Sequence, residues 1–336
     1  GRVMEDMRLA DGTLFPIPIT LPVGPDAPVA TGTEVALRAS TNDVIAVMAV
    51  EEIFDWNPET EARLVCGTTE ARHPLVAEMA SWGRRYVSGA LRVINLPAHY
   101  DFVSLRRTPA EVRARLGSLG YTNVVAFQTR APIHRAHEEM TKRAAERVGG
   151  ALLIHPVVGL TKPGDVDHYA RVRSYKALVD RYYDRSRTVL SLLPLASRMA
   201  GPREALWHAI IRRNHGANHL IVDRDDTGPG EGTTGKPFYG PHDAQNRLLQ
   251  HEEELGVKMV PFTELVWLED EQRYEEQAHV APGARVASIS GAELRQESLD
   301  TGRPLPGWFT RPETAAILSR GSRARPIHDE ARRGDS

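Results

Sequence analysis

The chain has 336 residues, enough for two or three ordinary domains, and its 41% hydrophobic and 26% charged residues are typical of a globular protein. Its 42 basic and 44 acidic residues give a net charge of -2, which argues against nucleic-acid binding, because nucleic-acid binders usually carry a basic excess. No apolar stretch approaches the ~20 residues that cross a bilayer, and no signal peptide is evident. We therefore expect a soluble, cytoplasmic protein without a membrane segment.

The single cysteine, Cys66, excludes an internal disulfide and is expected to be a small buried hydrophobe.

Residues 1–101 predict a β-rich domain. Short apolar runs such as residues 44–50 are bounded by turn-forming residues, as strands are. Pro16, Pro18 and Pro22 are expected at edges or turns, because proline cannot donate a hydrogen bond within a central strand.

Residues 102–261 predict an α/β domain with a parallel sheet. Thr108 and Glu111 form a capping-box signature for a helix that ends at Gly117 or Gly120. Alternation of strands and helices then indicates right-handed βαβ units, whose ligands bind at the carboxyl ends of the strands. The strand-like runs are 123–129, 151–159, 188–195 and 218–225, and the helical runs between them are 134–148, 167–183 and 201–216.

Residues 262–336 predict a small C-terminal α/β domain. It is expected to contain a helix near Glu313–Ser319 and to end in a polar tail after Arg320 that is partly disordered.

The segment VVAFQTRAPIHRAHEEM, residues 124–140, carries the main functional pattern. A buried strand ends at Phe127, and Pro132 follows near the start of a helix. His134 and His137 are three residues apart and therefore share one face of the first turn. Free N–H groups, the positive end of the helix dipole and two imidazoles would converge where a phosphate binds, and Arg130 adds a bidentate fork for an oxyanion.

Two histidines three apart are by themselves a weak signal, since such residues are often ordinary surface residues. The pattern gains specificity because it directly follows a strand and the sequence Gln-Thr-Arg. A zinc site is less attractive, because no third ligand is obvious and Arg130 and Arg135 would repel a cation. We expect no protein-bound metal.

QTRAPIHRAHEEM resembles the QTRNPxHxxHE signature of the ATP sulfurylase (sulfate adenylyltransferase) family. The segments GLTKPGDVDHYARVRSYKAL, LPLASRMAGPREALWHAIIRRNHGANHLIV and FYGPHDAQ are also similar to the family, in its order, over about residues 11–320. The resemblance implies an N-terminal PUA-like domain, a Rossmann-like HxxH nucleotidyltransferase domain and a small C-terminal domain. It also implies a short or absent leading segment and no adenylylsulfate kinase domain.

The resemblance implies that ATP and sulfate react by in-line attack at the α-phosphate, giving adenosine 5′-phosphosulfate and pyrophosphate. Mg²⁺ would arrive with ATP, and no side-chain nucleophile is needed, so positioning and charge neutralisation must supply catalysis. The implied catalytic residues are Arg130, His134, His137 and Arg224. The implied oxyanion ligands are Gln128, Arg130 and Thr227. The implied nucleotide-binding residues are Thr129, Ala131, His134, His137, Arg224 and Asp225.

Further cations could serve either the substrates or the structure, and the sequence leaves both options open. They are Lys162, Arg171, Arg198 and Arg203. We also expect a homo-oligomer, a dimer or higher. Although PUA-like domains usually suggest RNA, the near-neutral charge gives nucleic-acid binding little support.

Four positions depart from the family pattern in its two most diagnostic motifs. Ala131 replaces the Asn of QTRN, and the GRDHAG motif becomes Asp-Arg-Asp-Asp-Thr-Gly, with Asp223 for Gly, Asp226 for His and Thr227 for Ala. A carboxylate at ~6 Å from a bound anion costs about 3 kcal/mol at an effective dielectric of ~20. A smaller departure is Ala292 in place of Thr. Three hypotheses therefore stay open: an ATP sulfurylase, a nucleotidyltransferase with another oxyanion acceptor, and a catalytically impaired homologue with a structural or regulatory role.

Overall fold

In a computed structural model the chain divides into two units, each assembled from segments that are distant in sequence. Unit 1 comprises Gly1–Arg106, Ser197–Ile211 and Val222–Gly256. Unit 2 comprises Arg107–Ala196, Arg212–Ile221 and Val257–Ser336. The residues that the structure describes are 1–159, 166–224, 226–262, 264–287 and 305–323, with side chains to 320. The domain boundaries at 101/102 and 261/262 stay predictions.

Unit 1 is built on a four-stranded antiparallel sheet with the strand order β1-β4-β3-β2. Its elements are α1 (Arg2–Asp6), β1 (Pro22–Val23), β2 (Glu34–Arg38), β3 (Val44–Asp55), α2 (Pro58–Cys66), α3 (Pro74–Ser81), β4 (Arg85–Val93), α8 (Asp243–Leu249) and α9 (Glu252–Leu255). A further helix, α7 (Pro202–Asn214), is divided between the two units. Pro22 opens the edge strand β1, where a missing N–H is tolerated, as predicted.

Strand β3 is longer than the run 44–50 that the sequence indicated. Ala46, Met48 and Val50 alternate onto one buried face, and a register shift between Val50 and Glu52 lets the strand continue to Asp55. Gly89 lies opposite this bulge, where an added Cβ would come within 1.8 Å of the Ala49 carbonyl oxygen. The bulge therefore requires glycine at this position of β4.

Helices α2 and α3 were not predicted, although both begin with proline at the first turn. Asn57 caps α2 by accepting a hydrogen bond from the Thr60 N–H at 2.9 Å. The two helices enclose a core that includes Cys66, which is 1% exposed. Burial raises the pKa of the Cys66 thiol to about 12, so this cysteine is the inert buried hydrophobe that the sequence indicated.

Unit 2 contains a five-stranded parallel sheet with the order β7-β6-β5-β8-β9, which confirms the predicted α/β architecture. The chain runs from β5 outward to β7 and then returns to β8 beside β5, so the topological switch point lies between β5 and β8. The elements are α4 (Pro109–Gly117), β5 (Val124–Phe127), α5 (Arg135–Arg147), β6 (Ala151–Ile154), α6 (His168–Tyr182), β7 (Thr188–Leu190), β8 (His219–Ile221) and β9 (Lys258–Met259).

Strands β5, β6 and β7 are buried along their whole length, because helices cover both faces of such a sheet. Helix α4 begins at the predicted capping box: the Thr108 N–H donates to Glu111 Oε2 at 2.7 Å, and the Glu111 N–H donates to Thr108 Oγ1 at 3.3 Å. The helix ends at Gly117, the first of the two stops predicted.

The last part of unit 2 is a three-stranded antiparallel sheet followed by a helix. The elements are β10 (Leu265–Leu268), β11 (Arg273–Glu276), β12 (Val286–Ala287) and α10 (Pro312–Arg323). Helix α10 packs against α6, where the Tyr182 hydroxyl donates to Glu313 Oε2 at 2.8 Å. The predicted Glu313–Ser319 helix is thus confirmed, while the tail expected to be disordered lies mostly outside the described residues.

None of the helices in the described ranges combines the length and the apolar character needed to traverse a bilayer.

Candidate functional site

The loop that follows β5 is a closed polar turn of four residues, Gln128 to Ala131. Thr129 Oγ1 accepts a hydrogen bond from the Ala131 N–H at 3.0 Å and donates to the Ala131 carbonyl at 2.9 Å. The Val157 N–H donates to the Thr129 carbonyl at 3.0 Å. Gln128, Thr129 and Arg130 are half-buried and Ala131 is exposed. The turn therefore presents the Gln128 and Arg130 side chains from a fixed backbone at the carboxyl end of the sheet.

Helix α5 begins later than expected. His134 is the N-cap, with an extended backbone, and the first helical residue is Arg135. Pro132 therefore precedes the helix instead of occupying its first turn, because the extended His134 separates them. His137 lies in the first turn, and its ring is 5.9 Å from that of Phe127. The two histidines still lie close enough for the charge of one to affect the other.

His134 is enclosed by apolar surroundings. It is 8% exposed, and its ring lies 4.4 Å from that of Phe309, centroid to centroid. Burial, and then the nearby charge of His137, lower the pKa of His134 to about 3 from an ordinary 6.5. Among the described residues, Nδ1 of His134 has no hydrogen-bond partner. A neutral imidazole offers a hydrogen bond to an anion but no charge.

Glu138 anchors the start of α5 to the C-terminal segment, a feature that the sequence did not indicate. Its carboxylate is 2% exposed and accepts from Lys142 Nζ at 2.5 Å and from Arg311 Nε at 2.9 Å and Nη2 at 2.8 Å. Burial alone would raise the pKa of Glu138, but hydrogen bonds from Arg311 and Lys142 outweigh it and hold the pKa below its ordinary value. The Arg135 N–H also donates to the Phe309 carbonyl at 2.9 Å.

Three of the four additional cations fall in the described residues, and each has a partner. Arg171 is buried on α6 and donates to the Arg130 carbonyl. Arg203 donates to the carbonyls of Met4, Val3 and Pro16, so its observed contacts are structural. The Arg198 guanidinium lies over the Trp82 ring, 5.8 Å from its centroid. Lys162 and Ala292 lie outside the described residues.

The Asp223–Thr227 loop belongs to unit 1. Asp223 Oδ1 accepts from the Arg224 N–H at 2.8 Å, and both residues are exposed. Thr227 is buried and has a φ of 62°, a left-handed conformation that β-branched residues rarely adopt. Its hydroxyl is 2.7 Å from the Gly201 carbonyl, to which it donates, and the Gly201 N–H donates to the Thr227 carbonyl at 3.3 Å. Asp226 is half-buried, and Asp225 lies outside the described residues.

The structure thus brings six of the predicted site residues together at one strand end of unit 2. They are Gln128, Thr129, Arg130, Ala131, His134 and His137. Arg224, Asp226 and Thr227 lie on one loop of unit 1. In the ranges described, no group of three or more His, Cys, Asp or Glu side chains is arranged to hold a metal ion.

Tyr175 is a second contact of the site that the sequence did not reveal. Its hydroxyl donates to the Ala131 carbonyl at 2.8 Å. The available signal was Asp167, which caps α6 by accepting from the Ala170 N–H at 2.8 Å. This cap sets the helix register and places Arg171 and Tyr175 one turn apart on one face, but only the folded chain shows what they contact.

A parallel sheet with an HxxH pair after its β5 strand defines a Rossmann-like domain of the HxxH nucleotidyltransferase kind. Residues 103–321 match the ATP-sulfurylase family, and residues 1–96 match the PUA-like domain. The chain belongs to the ATP-sulfurylase family, which confirms the family and the PUA-like domain predicted from the sequence.

Curated relatives share nearly half of the chain's residues. The sulfate adenylyltransferase of Aspergillus fumigatus is 48% identical over 326 residues, covering 95% of this chain and 56% of the relative. That of Gibberella zeae is 49% identical over 322 residues, covering 94% and 56%. A solved structure, a hexameric APS kinase from Thiobacillus denitrificans, has 30% identity and a TM-score of 0.75, covering 95% of this chain and 56% of that one. The chain therefore spans just over half the length of these relatives.

Proposed function

We propose that the chain is an ATP sulfurylase, which transfers the adenylyl group of MgATP to sulfate and releases pyrophosphate. The observation that carries the proposal is the Gln128–His137 segment, which lies within the range that matches the family: the candidate oxyanion ligands stand on a fixed turn after β5, and the two histidines follow at the start of α5. The curated relatives that match 94–95% of this chain are named sulfate adenylyltransferases. A cytoplasmic homo-oligomer remains part of this proposal.

In this proposal Gln128 and Arg130 hold the sulfate. The Arg130 guanidinium is planar and permanently charged, so it can bind two sulfate oxygens at once. His134 and His137 contact the ATP phosphates beside the N-terminus of α5, where the positive end of the helix dipole favours negative charge. Because His134 is neutral at pH 7, it contributes a hydrogen bond, and the positive charge must come from arginines and the metal.

The chemical step is displacement at the α-phosphorus by a sulfate oxygen, with pyrophosphate as the leaving group. Mg²⁺ enters as part of the MgATP substrate and neutralises charge on the phosphates. Arg224, on the unit 1 loop, is proposed to neutralise phosphate charge as well, with Thr129, Ala131 and Asp225 as nucleotide contacts and the Thr227 backbone as a sulfate contact. Catalysis by positioning and charge stabilisation requires no covalent enzyme intermediate.

The proposal is tested by replacing Arg130 with lysine, which keeps the charge but loses the planar fork. We expect sulfate-dependent pyrophosphate release to fall well over tenfold, with the melting temperature unchanged. Arg115→Lys, at an exposed position of α4, is the matched control and should behave as the wild type. A fully active Arg130→Lys enzyme would contradict the assignment of Arg130 as the oxyanion anchor.

A further inference from the structure

A buried arginine lies directly behind the proposed oxyanion turn. Arg171 is on the first turn of α6 and is only 2% exposed, and Tyr175, one turn later, is fully buried. Arg171 Nη1 donates to the carbonyl of Arg130, and the Tyr175 hydroxyl donates to the carbonyl of Ala131 at 2.8 Å. Two consecutive carbonyls of the turn are thus held by one helix face.

These two contacts restrict the orientation of the Arg130 side chain. Within the turn, Thr129 Oγ1 already fixes Ala131: it donates to the Ala131 carbonyl at 2.9 Å and accepts from the Ala131 N–H at 3.0 Å. Because the carbonyls of Arg130 and Ala131 both accept hydrogen bonds from α6, the backbone at Arg130 cannot rotate without breaking a buried hydrogen bond. Such breakage is unfavourable, because a buried polar group without a partner retains its full desolvation penalty.

The charge of Arg171 is poorly compensated. Across the described ranges its guanidinium forms no ion pair with a carboxylate, and its Nε has no hydrogen-bond partner. A buried cation is strongly unfavourable unless it is paired, and a single carbonyl dipole balances only part of a full charge. The region behind the turn therefore carries a positive charge that a bound anion would balance.

We propose that Arg171 is a positioning residue of the oxyanion site. It fixes the main chain of Arg130, and its buried charge is balanced when an oxyanion binds at the turn. This inference rests on the proposed function for the identity of the anion, and sulfate is the probe. Tyr175 assists through geometry alone, because its hydroxyl carries no charge.

A purely structural arginine and an arginine whose charge is balanced by a bound anion can be told apart by replacing each with methionine and measuring the stability of the ligand-free protein. Replacing a structural arginine by methionine lowers the stability of the ligand-free protein. Replacing a poorly compensated buried charge by an apolar group of similar volume is often neutral or stabilising. Only the second kind of arginine also contributes to stabilisation by an added anion.

The experiment measures the melting temperature of the full chain, with and without sulfate, for wild type, Arg171→Met, Arg171→Lys and Tyr175→Phe. We expect sulfate to raise the wild-type value. Arg171→Met without sulfate should melt no more than ~2 °C below wild type, with at least half of the sulfate-induced rise lost. Arg171→Lys should keep most of the rise, because it keeps the charge.

Arg212→Met is the matched control, because Arg212 is also fully buried and donates to a main-chain carbonyl, that of His155, at 3.3 Å. Among the described residues, Arg212 does not contact the Arg130 turn, so Arg212→Met should leave the sulfate-induced rise intact whatever it does to the melting temperature of the ligand-free protein. If Arg171→Met behaves like this control, or if wild type shows no rise with sulfate, the inference is wrong. If Arg171→Met does not fold, Arg171→Lys decides: loss of its sulfate-induced rise overturns the role of the charge.

Steady-state kinetics separate positioning from general stability. Arg171→Met and Tyr175→Phe should raise the KM for sulfate at least tenfold and change the KM for MgATP no more than about twofold. Equal changes in the KM for sulfate and in the KM for MgATP would contradict a specific effect on the Arg130 turn. Sulfate stabilisation requires no turnover, so a wild type that is stabilised by sulfate but releases no pyrophosphate would refute the proposed function and leave this inference standing.

Discussion

The ring of His134 shows how one residue's surroundings set its chemistry. Its position as N-cap places it at the positive end of α5, while contact with Phe309 removes it from water. Desolvation, and then the nearby charge of His137, disfavour protonation there. The histidine therefore stays neutral at pH 7 and can donate a hydrogen bond to a phosphate, and Arg130 has to supply the charge.

This environment predicts a specific dependence of stability on pH. Because the pKa of His134 is about 3 in the folded protein and near 6.5 when unfolded, the unfolded chain binds the additional proton between these values. Stability is therefore fully present above about pH 6.5 and falls as the pH decreases toward 3, by up to about 1.4 kcal/mol per pH unit from this group.

Urea unfolding of wild type and His134→Gln between pH 7 and pH 5 checks this prediction. The variant should lose less stability on acidification than wild type. His279→Gln, at a side chain that is 67% exposed, is the control and should follow wild type. Identical pH dependence in wild type and His134→Gln would show that the histidine is not held neutral by burial.

The departures from the family motifs also act at the residue scale. Asp223 and Asp226 add negative charge to the loop that carries Arg224, and Ala131 lacks the amide of the family's Asn. Reverting Ala131→Asn, Asp223→Gly and Asp226→His together should raise sulfate-dependent pyrophosphate release at least ~100-fold, equivalent to about 2.7 kcal/mol of barrier. The gain should exceed the sum of the single reversions if all three positions serve one reaction.

The opposite result is equally informative. Reversion that abolished activity toward another acceptor, with little gain for sulfate, would indicate that the chain adenylylates a different oxyanion. A triple variant identical to the parent on every acceptor would mean that the two aspartates do not affect the bound anions. The Asp223 carboxylate already accepts the Arg224 N–H, which limits its freedom to approach a substrate.

At the scale of elements, the C-terminal segment is attached to the start of α5 by a buried ion pair. Glu138 joins Arg311 and Lys142, and the Arg311 guanidinium also lies over the Tyr182 ring, 4.0 Å from its centroid. Removing one cation from a buried carboxylate leaves charge that is only partly compensated. Phe309, two residues before Arg311, reaches His134 from the same segment.

We therefore predict that Arg311→Met lowers the free energy of unfolding of unit 2 by about 1.5–3 kcal/mol, the usual worth of hydrogen bonds to a charged group. Chemical denaturation measures this loss. Arg320→Met, at an exposed position of α10, is the control and should change stability by less than about 0.5 kcal/mol. An Arg311→Met protein as stable as wild type would show that Lys142 alone satisfies Glu138.

The elements that sequence predicted best are those whose signals are local. The Thr108 capping box and the buried β5 run depend on neighbouring residues, and both appear where expected. Helix α2 was missed although Asn57 and Pro58 form a local start signal, because the surrounding β-branched and turn residues dominated the pattern. The contacts of Arg171 with Arg130, of Glu138 with Arg311 and of Phe309 with His134 join residues at least 41 apart along the chain, and no local pattern encodes them.

At the scale of the whole molecule, a net charge of -2 gives little long-range attraction for the polyanionic substrates that we propose. The positive charge is local, with Arg130 and Arg171 at the turn after β5. A site of this kind depends on the fixed geometry of its ligands more than on the net charge of the protein. The Thr129 carbonyl is accordingly hydrogen-bonded to Val157, in the segment after β6, and the next two carbonyls of the turn are hydrogen-bonded to α6. The proposed function of the whole molecule is a single reaction, the transfer of an adenylyl group to sulfate.

The most direct test of that claim is to incubate the full chain with MgATP and a panel of acceptors and to identify the products by mass spectrometry. The panel contains sulfate, molybdate, phosphonates, sugar phosphates and no acceptor. We predict adenosine 5′-phosphosulfate and an equal amount of pyrophosphate with sulfate, and no adenylylated product from the phosphonates or sugar phosphates. Absence of adenosine 5′-phosphosulfate at saturating sulfate, from a folded protein that binds MgATP, would contradict the account.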